Sequence, residues 1–270
     1  MTRIDPETAA SLVSAANALA DAARPVTLTY FRSTELTADN KLAEGFDPVT
    51  IADREAEVAM RAVLAELRPD DTIVGEEMGT SEGSSGFIWV LDPIDGTRGF
   101  MSGTPTWGVL IAVGDASGPK VGVIDQPFIG ERFFGGFGDA WTDGPAGRRQ
   151  LRTRGPRPLA EAILFTTFPE IGSPSEREAF QSLAGDVQLT RYGMDCYAYA
   201  LIASGQIDLV VEAGLQSYDI QAPIAVIEAA GGIVTDWRGR PAHQGGRVLA
   251  AANAEIHAAA LAYLSGVEDA

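Results

Sequence analysis

The spacing of apolar residues along the chain predicts two helices separated by a polar interval, then a run of strands, then strands and helices in alternation. Ala9, Leu12, Val13, Ala16 and Leu19 fall on one face at helical spacing. Asp5-Pro6 opens that helix, with proline at the first position, where its missing N–H has no bond to lose. Residues 34–47 are polar and predict a mobile loop. A second helix starts at Thr50-Ile-Ala-Asp53, carries Ala56, Ala59, Met60, Val63, Leu64 and Leu67 at helical spacing, and is ended by Pro69. Apolar runs over 72–74, 87–91, 107–113, 121–125 and 131–135 read as strands, and their short connections predict an antiparallel sheet.

Residues 144–158 are rich in glycine, proline and arginine and mark a boundary between an N-terminal half, 1–145, and a C-terminal half, 146–270. Beyond it, strands at 163–167, 187–190, 207–212, 232–235 and 248–251 alternate with helices at 174–183, 195–203, 218–230 and 254–264. Such alternation predicts a layered α/β arrangement. No internal repeat or low-complexity tract interrupts it.

Composition narrows the partners. With 46% hydrophobic and 21% charged residues over 270 positions, the chain has an ordinary soluble globular make-up. Its formal charge of -17 disfavours nucleic acid and anionic membranes, which both need cationic contacts. The same field would repel a phosphorylated substrate unless metal ions reverse the sign locally. The single cysteine, Cys196, excludes an internal disulfide and fits a reducing, cytoplasmic setting, as it would equally fit a cysteine-poor exported protein; in its mostly apolar run it reads as a buried small residue. The two histidines, His243 and His257, stand away from any acidic cluster, so zinc or histidine-triad chemistry has little to build on. The start of the chain predicts no signal peptide, and no apolar run reaches transmembrane length.

Candidate chemistry concentrates in Phe87-Ile-Trp-Val-Leu-Asp92-Pro-Ile-Asp95-Gly-Thr97. The apolar run predicts a buried strand that Pro93 and Gly96 stop, leaving Asp92 and Asp95 at its carboxyl end, where α/β folds hold ligands. Carboxylates are hard oxygen donors of the kind that hold Mg2+ together with a substrate phosphate, and Gly96 lets the backbone approach a ligand closely. Asp, Pro and Gly are equally ordinary turn residues, so this stretch alone leaves site and acidic turn open. Gly75-Glu76-Glu77 follows another short strand, where a glutamate either bridges two cations or decorates an exposed turn. Asp53, three residues after Thr50, suits a capping box and also the orientation of a threonine hydroxyl or a metal-bound water. Asp219 is expected near a helix start, with Pro223 in the first turn, and Glu212 ends the preceding strand, so the two acids could share one cleft mouth. Arg191 either pairs with a nearby acid or meets the substrate, and Asp195 either caps the helix beginning there or faces the substrate.

Taken in order, Asp47-Pro-Val-Thr-Ile-Ala-Asp53, Gly75-Glu76-Glu77, Trp89-Val-Leu-Asp92-Pro-Ile-Asp95-Gly-Thr97 and Tyr218-Asp219 followed by Ala229-Ala-Gly-Gly resemble the inositol monophosphatase family, over residues 46–232. The resemblance implies an α/β fold, a layered α-β-α-β-α sandwich of the inositol monophosphatase and sugar phosphatase type. It implies Mg2+-dependent hydrolysis of phosphomonoesters with two or three ions per active site, often a homodimer, and often inhibition by lithium. It also implies that Glu76, Asp92, the Ile94 carbonyl, Asp95 and Asp219 hold the metals. Thr97, Asp53 and Glu76 would orient and deprotonate the attacking water, and the amides of Gly96 and Thr97 would grip phosphate.

There is one departure. The family's second signature usually reads Trp-Asp followed by two small residues, whereas this chain has Tyr218-Asp219-Ile-Gln-Ala-Pro. With Gly193-Met-Asp195-Cys-Tyr-Ala-Tyr, it resembles the histidinol-phosphatase branch. Asp195 stands where the inositol enzymes have a small residue, and Asp195 and Glu212 together suit a cationic alcohol better than a neutral polyol. The expectation is hydrolysis of L-histidinol phosphate in histidine biosynthesis, with substrate contacts from Asp95, Gly96, Thr97, Arg191, Asp195, Glu212 and Asp219. The 34–45 loop is either a lid with Lys41 reaching the site or a disordered connection. Alternatives are inositol-1-monophosphatase or another sugar or nucleotide phosphatase of the family. Of another class is a non-catalytic divalent-cation-binding protein, against which the intact Thr97 and Asp53 and the lack of EF-hand spacing speak.

Overall fold

The computed structural model describes residues 4–34, 36, 38–40 and 48–268. Helix α1 (Pro6–Tyr30) begins where the Asp5 carboxylate accepts the Glu7 and Thr8 amides at 3.0 and 2.9 Å, satisfying donors that every helix start leaves open. A hairpin follows, β1 (Ala38–Asn40) paired antiparallel with β2 (Pro48–Thr50). The 34–47 interval is therefore not loop throughout; its polar residues carry no alternating apolar signal to announce a strand. Lys41 lies outside the described residues. Helix α2 (Ile51–Leu67) starts at Thr50 as expected, in a reciprocal capping box with Asp53. Its buried face departs from the predicted stripe at two positions. Leu67 is 50% exposed, whereas Glu57 is fully buried, accepting from Arg61 and from the amides of Glu77 and Met78.

Next come β3 (Thr72–Gly75), β4 (Gly79–Ser81), β5 (Ile88–Asp95), the short α3 (Thr97–Ser102), β6 (Gly108–Asp115), β7 (Gly118–Gln126), β8 (Glu131–Gly136), β9 (Asp139–Asp143) and β10 (Arg149–Gln150). The strands β3 to β10 form one sheet in the order β10-β9-β8-β7-β6-β5-β3-β4. All neighbours are antiparallel except β3 and β5, which run parallel. The expected purely antiparallel sheet fails at that pair because β4 folds back outside β3 and returns the chain to the end where β3 began. Nor does Pro93 stop β5. The strand runs on to Asp95 through a bulge, Asp92 facing Leu110 and Asp95 facing Gly108, and a bulge is where a strand tolerates proline.

The remaining elements are β11 (Ile163–Thr166), α4 (Pro174–Gly185), β12 (Leu189–Tyr192), α5 (Tyr197–Ala203), β13 (Leu209–Leu215), α6 (Ser217–Ala229), β14 (Ile233–Thr235), β15 (Gly246–Ala251) and α7 (Ala254–Leu264). Their strands form a second sheet, β12-β11-β13-β15-β14, parallel on the β12-β11-β13 side and antiparallel on the other. Alternate residues of the first sheet feed two cores. Trp89, Leu91, Ile111 and Val113 pack with Leu12, Leu19, Met60 and Leu64 of α1 and α2. Val90, Leu110, Ala112 and Ile124 pack with α5, α6 and the second sheet, among them Ile202, Val210, Ile220 and Val226. Phe180 and Leu183 of α4 and Ile256, Ala260 and Leu264 of α7 cover the second sheet's far face. The result is the expected α-β-α-β-α sandwich. Among the described residues, no helix is long and apolar enough to cross a membrane.

Two glycines set how closely α6 lies on the first sheet. A Cβ on Gly122 would stand 2.3 Å from the Ala222 carbonyl oxygen, and one on Gly135 would stand 2.4 Å from the Val226 Cα. Both obstacles are backbone, so neither can swing aside. Gly122→Ala should therefore lower stability by about 1–3 kcal/mol, seen as a lower urea midpoint with unchanged slope. An unchanged midpoint would show that α6 retreats freely.

Candidate active site

The bulged end of β5 puts Asp92 and Asp95 into a cleft of about 330 Å3 between the two sheets, with Glu76, Asp195, Glu212 and Asp219 also in its walls. Each acid is positioned by local structure. Asp92, 1% exposed, accepts the Ile94 amide at 3.0 Å. Asp95 accepts the Cys196 amide at 2.6 Å, a bond that joins β5 to the start of α5. Asp219 stands in the first turn of α6, where one oxygen accepts the Gln216 amide at 2.6 Å. Pro223 lies inside that helix, not in its first turn, and being without an N–H it leaves the Asp219 carbonyl no helical donor. The Glu76 amide donates to Leu91 at 3.1 Å, and buried Glu57 grips the next two amides, fixing the acidic turn beside β5. Carboxylate oxygens of Asp92, Asp95 and Asp219 all lie within 4.8 Å of one another.

Gly96 has φ +84°, and a Cβ there would meet the Asp195 side chain at 2.7 Å. Glycine is thus required by both conformation and crowding. Thr97 opens α3, and its hydroxyl has two acceptors in reach, the Ile94 carbonyl at 3.2 Å and Asp53 at 3.4 Å. The other Asp53 oxygen takes the Thr50 amide at 2.8 Å and the Thr50 hydroxyl. Asp53 therefore caps α2 and reaches Thr97 at once.

Asp195 does not cap α5 with its side chain. The cap residue is Cys196, with no side-chain bond, and the Asp195 carboxylate turns instead to the Thr106 hydroxyl at 2.7 Å. Glu212 accepts the Thr167 amide and hydroxyl at 2.6 and 2.8 Å and the Thr166 hydroxyl at 3.1 Å. Arg191 is not among the cleft's lining residues. It lies exposed on β12, the outermost strand, opposite Phe165, with β11 between it and β13. The edge position of β12 follows from pairing across the sheet, which local sequence does not show.

Other residues, which carried no signal of a site in the sequence, support or line the cleft. Thr106, Thr166 and Thr167 hold the acids just described. Arg98 lies over the Phe168 ring at 5.0 Å, and both line the cleft. Tyr199 lines it too. The threonines carried no signal, since each acts across a sheet or loop.

Among the cleft's described lining residues, Arg98 is the one basic group facing six acids. Burial, then the charges of Glu76, Asp95 and Asp219, raise Asp92 well above the ordinary carboxylate range. Burial, then Asp219 and Asp195, do the same to Asp95. Burial pushes Asp53 to about 6 and Glu212 to about 7, against the bonds from their threonines. A buried cluster of this kind is short of positive charge, and its all-oxygen donor set fits a hard divalent cation.

Comparison with known proteins agrees. A model of the inositol monophosphatase family matches residues 9–268. The chain is 43% identical over 232 residues to the bifunctional phosphatase IMPL2, chloroplastic, of Arabidopsis thaliana; the match takes in 83% of this chain and spans 64% of that relative's length. It is 34% identical over 237 residues to the histidinol-phosphatase of Chlorobaculum parvum, covering 87% of this chain and 89% of that protein. An inositol monophosphatase structure from Zymomonas mobilis superposes with a TM-score of 0.83 at 36% identity, covering 97% of this chain and 99% of that one.

The electrostatics predict an unusual pH profile. Asp53 and Glu212 have folded pKa values of about 6 and 7 against ordinary values of 3.8 and 4.5. A raised folded pKa gives stability that is whole below the ordinary value and is lost as pH rises through the folded one. Without metal, the melting temperature should fall between about pH 4.5 and pH 7. Added Mg2+ should restore it at pH 8, because binding to the folded state alone stabilises that state. Calorimetry with chelator and with Mg2+ checks this; a metal-free melting temperature that rises across that window would contradict it.

Proposed function

The chain belongs to the inositol monophosphatase family, metal-dependent phosphomonoesterases, and on that premise we propose that it hydrolyses L-histidinol phosphate to L-histidinol and phosphate with Mg2+. The observation that carries the substrate assignment is the pair Asp195 and Glu212. Both line the cleft beyond the Asp92, Asp95 and Asp219 cluster, and both are held in place by threonines. Arg98 acts on Asp195 from the cleft wall, but that one guanidinium faces six acids there, and a neutral polyol adds no positive charge. An alcohol bearing an ammonium and an imidazole supplies one. The 34% identity to a named histidinol-phosphatase supports the same substrate. The likeness to an inositol monophosphatase structure supports a second reading, inositol phosphate.

Two or three Mg2+ ions, held by Glu76, Asp92, Asp95, Asp219 and the Ile94 carbonyl, would supply Lewis acidity toward water and the phosphoryl oxygens. The remaining work falls to the chain. Thr97 orients the attacking water through its hydroxyl, whose own proton points to Asp53. The proton that the water loses passes by way of the Thr97 hydroxyl to Asp53, with Glu76 also facing the water, and a proton from solvent completes the departing alcohol. The amides of Gly96 and Thr97 hold the phosphate in line for attack. Water is the nucleophile throughout, so no residue becomes phosphorylated.

Phosphate release from L-histidinol phosphate and from myo-inositol 1-phosphate tests the assignment. The expected kcat/KM is at least about tenfold higher on histidinol phosphate, and Asp195→Ala should remove about tenfold or more of it, the loss typical of a charged hydrogen bond. Preference for inositol phosphate, or an Asp195→Ala variant equal to the parent on histidinol phosphate, would contradict it.

A further inference from the structure

Tyr199 sits on α5 and is 4% exposed. Its hydroxyl has no hydrogen-bond partner among the described residues, although buried phenols normally have one. Phenylalanine would fill the same space without burying a polar atom. The ring lines the same cleft as Asp195, Glu212 and Asp219. The acids nearby are already engaged: Glu212 takes bonds on both oxygens, Asp195 takes Thr106, and Asp95 takes the Cys196 amide. A polar atom kept there at a cost, beside a carboxylate that is locked in place, has the features of a group reserved for a ligand.

The chemistry of its surroundings selects the ligand atom. The acids that share the cleft with it and act on it most are Glu212, then Asp95 and Asp219. Burial and these charges raise its pKa well above the ordinary value, so it stays a neutral hydroxyl at any working pH. It cannot serve as an acid or a base, but it can accept from an N–H. A carboxylate accepts and never donates. A substrate ammonium brings several donors, and Glu212 and the phenol oxygen offer it two acceptors in one cleft. An anionic phosphate oxygen would be repelled by Glu212.

We propose that Tyr199 is a specificity-determining residue, its hydroxyl accepting a hydrogen bond from the cationic amine end of the substrate beside Glu212. The proposal rests on the histidinol phosphate reading above. It adds a residue that discriminates between phosphomonoesters by the alcohol and not by the phosphate.

Tyr199→Phe tests it with three readouts. Binding of L-histidinol by calorimetry, with and without Mg2+, should weaken about tenfold. The ratio of kcat/KM on L-histidinol phosphate to that on p-nitrophenyl phosphate should fall by about the same factor, nearly all of it through KM. The ligand-free melting temperature should be unchanged or higher, because the lost hydroxyl bonded none of the described residues. Unchanged L-histidinol affinity would overturn the proposal, as would equal losses on both phosphomonoesters or a lower melting temperature. If the parent hydrolyses histidinol phosphate and Tyr199→Phe matches it, only the role of the tyrosine fails. A parent that neither binds L-histidinol nor hydrolyses its phosphate overturns the substrate assignment and the tyrosine's role together.

Discussion

Mutual repulsion among buried carboxylates is the constraint around which this molecule is built. Asp92, Asp95 and Asp219 bring oxygens within 4.8 Å of one another, with Glu76, Asp195 and Glu212 in the same walls. Left alone, such charges would drive one another apart or protonate. The fold holds them by one repeated device, a backbone amide bonded to one carboxylate oxygen. The Ile94 amide holds Asp92, Cys196 holds Asp95, Gln216 holds Asp219, Thr50 holds Asp53 and Thr167 holds Glu212.

That device explains why the site needs elements from both sheets. The β5 bulge sets Asp92 and Asp95 on one side of the strand, and α5 and α6 bring the Cys196 amide and Asp219 across from the second half. The close fit of α6 over Gly122 and Gly135 fixes the height at which Asp219 meets β5. Packing and electrostatics are thus one problem here: the apolar core shared by the two sheets supplies the rigidity that holds like charges together.

Much of this was legible in the chain. Helical spacing marked α1 and α2, apolar runs marked the central strands, and the acidic stretch at 92–97 pointed to the site once it was taken together with Asp53, Gly75-Glu76-Glu77 and Tyr218-Asp219. What escaped was decided by long-range pairing. Ala38–Asn40 is polar yet forms a strand with Pro48–Thr50. β3 and β5 run parallel only because β4 folds outside them. Arg191 was open to an ion pair or a substrate contact from its neighbours in sequence; it lies on the edge strand β12 and is not among the cleft's lining residues. Glu57, in an otherwise apolar stripe, is buried because the amides after Glu76 need an acceptor. Thr106 and Thr167 serve acids 89 and 45 residues distant, separations at which no local pattern speaks.

The central claim is that these acids form a cage for divalent cations. Anomalous diffraction from crystals soaked in Mn2+, a stand-in for Mg2+ with the same preference for oxygen, tests it most directly. The account predicts a strong anomalous peak between Asp92, Asp95 and Asp219, at about 2.0–2.3 Å from their oxygens, and its loss in Asp92→Asn. A cleft without such a peak, or ions bound only at surface acids elsewhere, would contradict it.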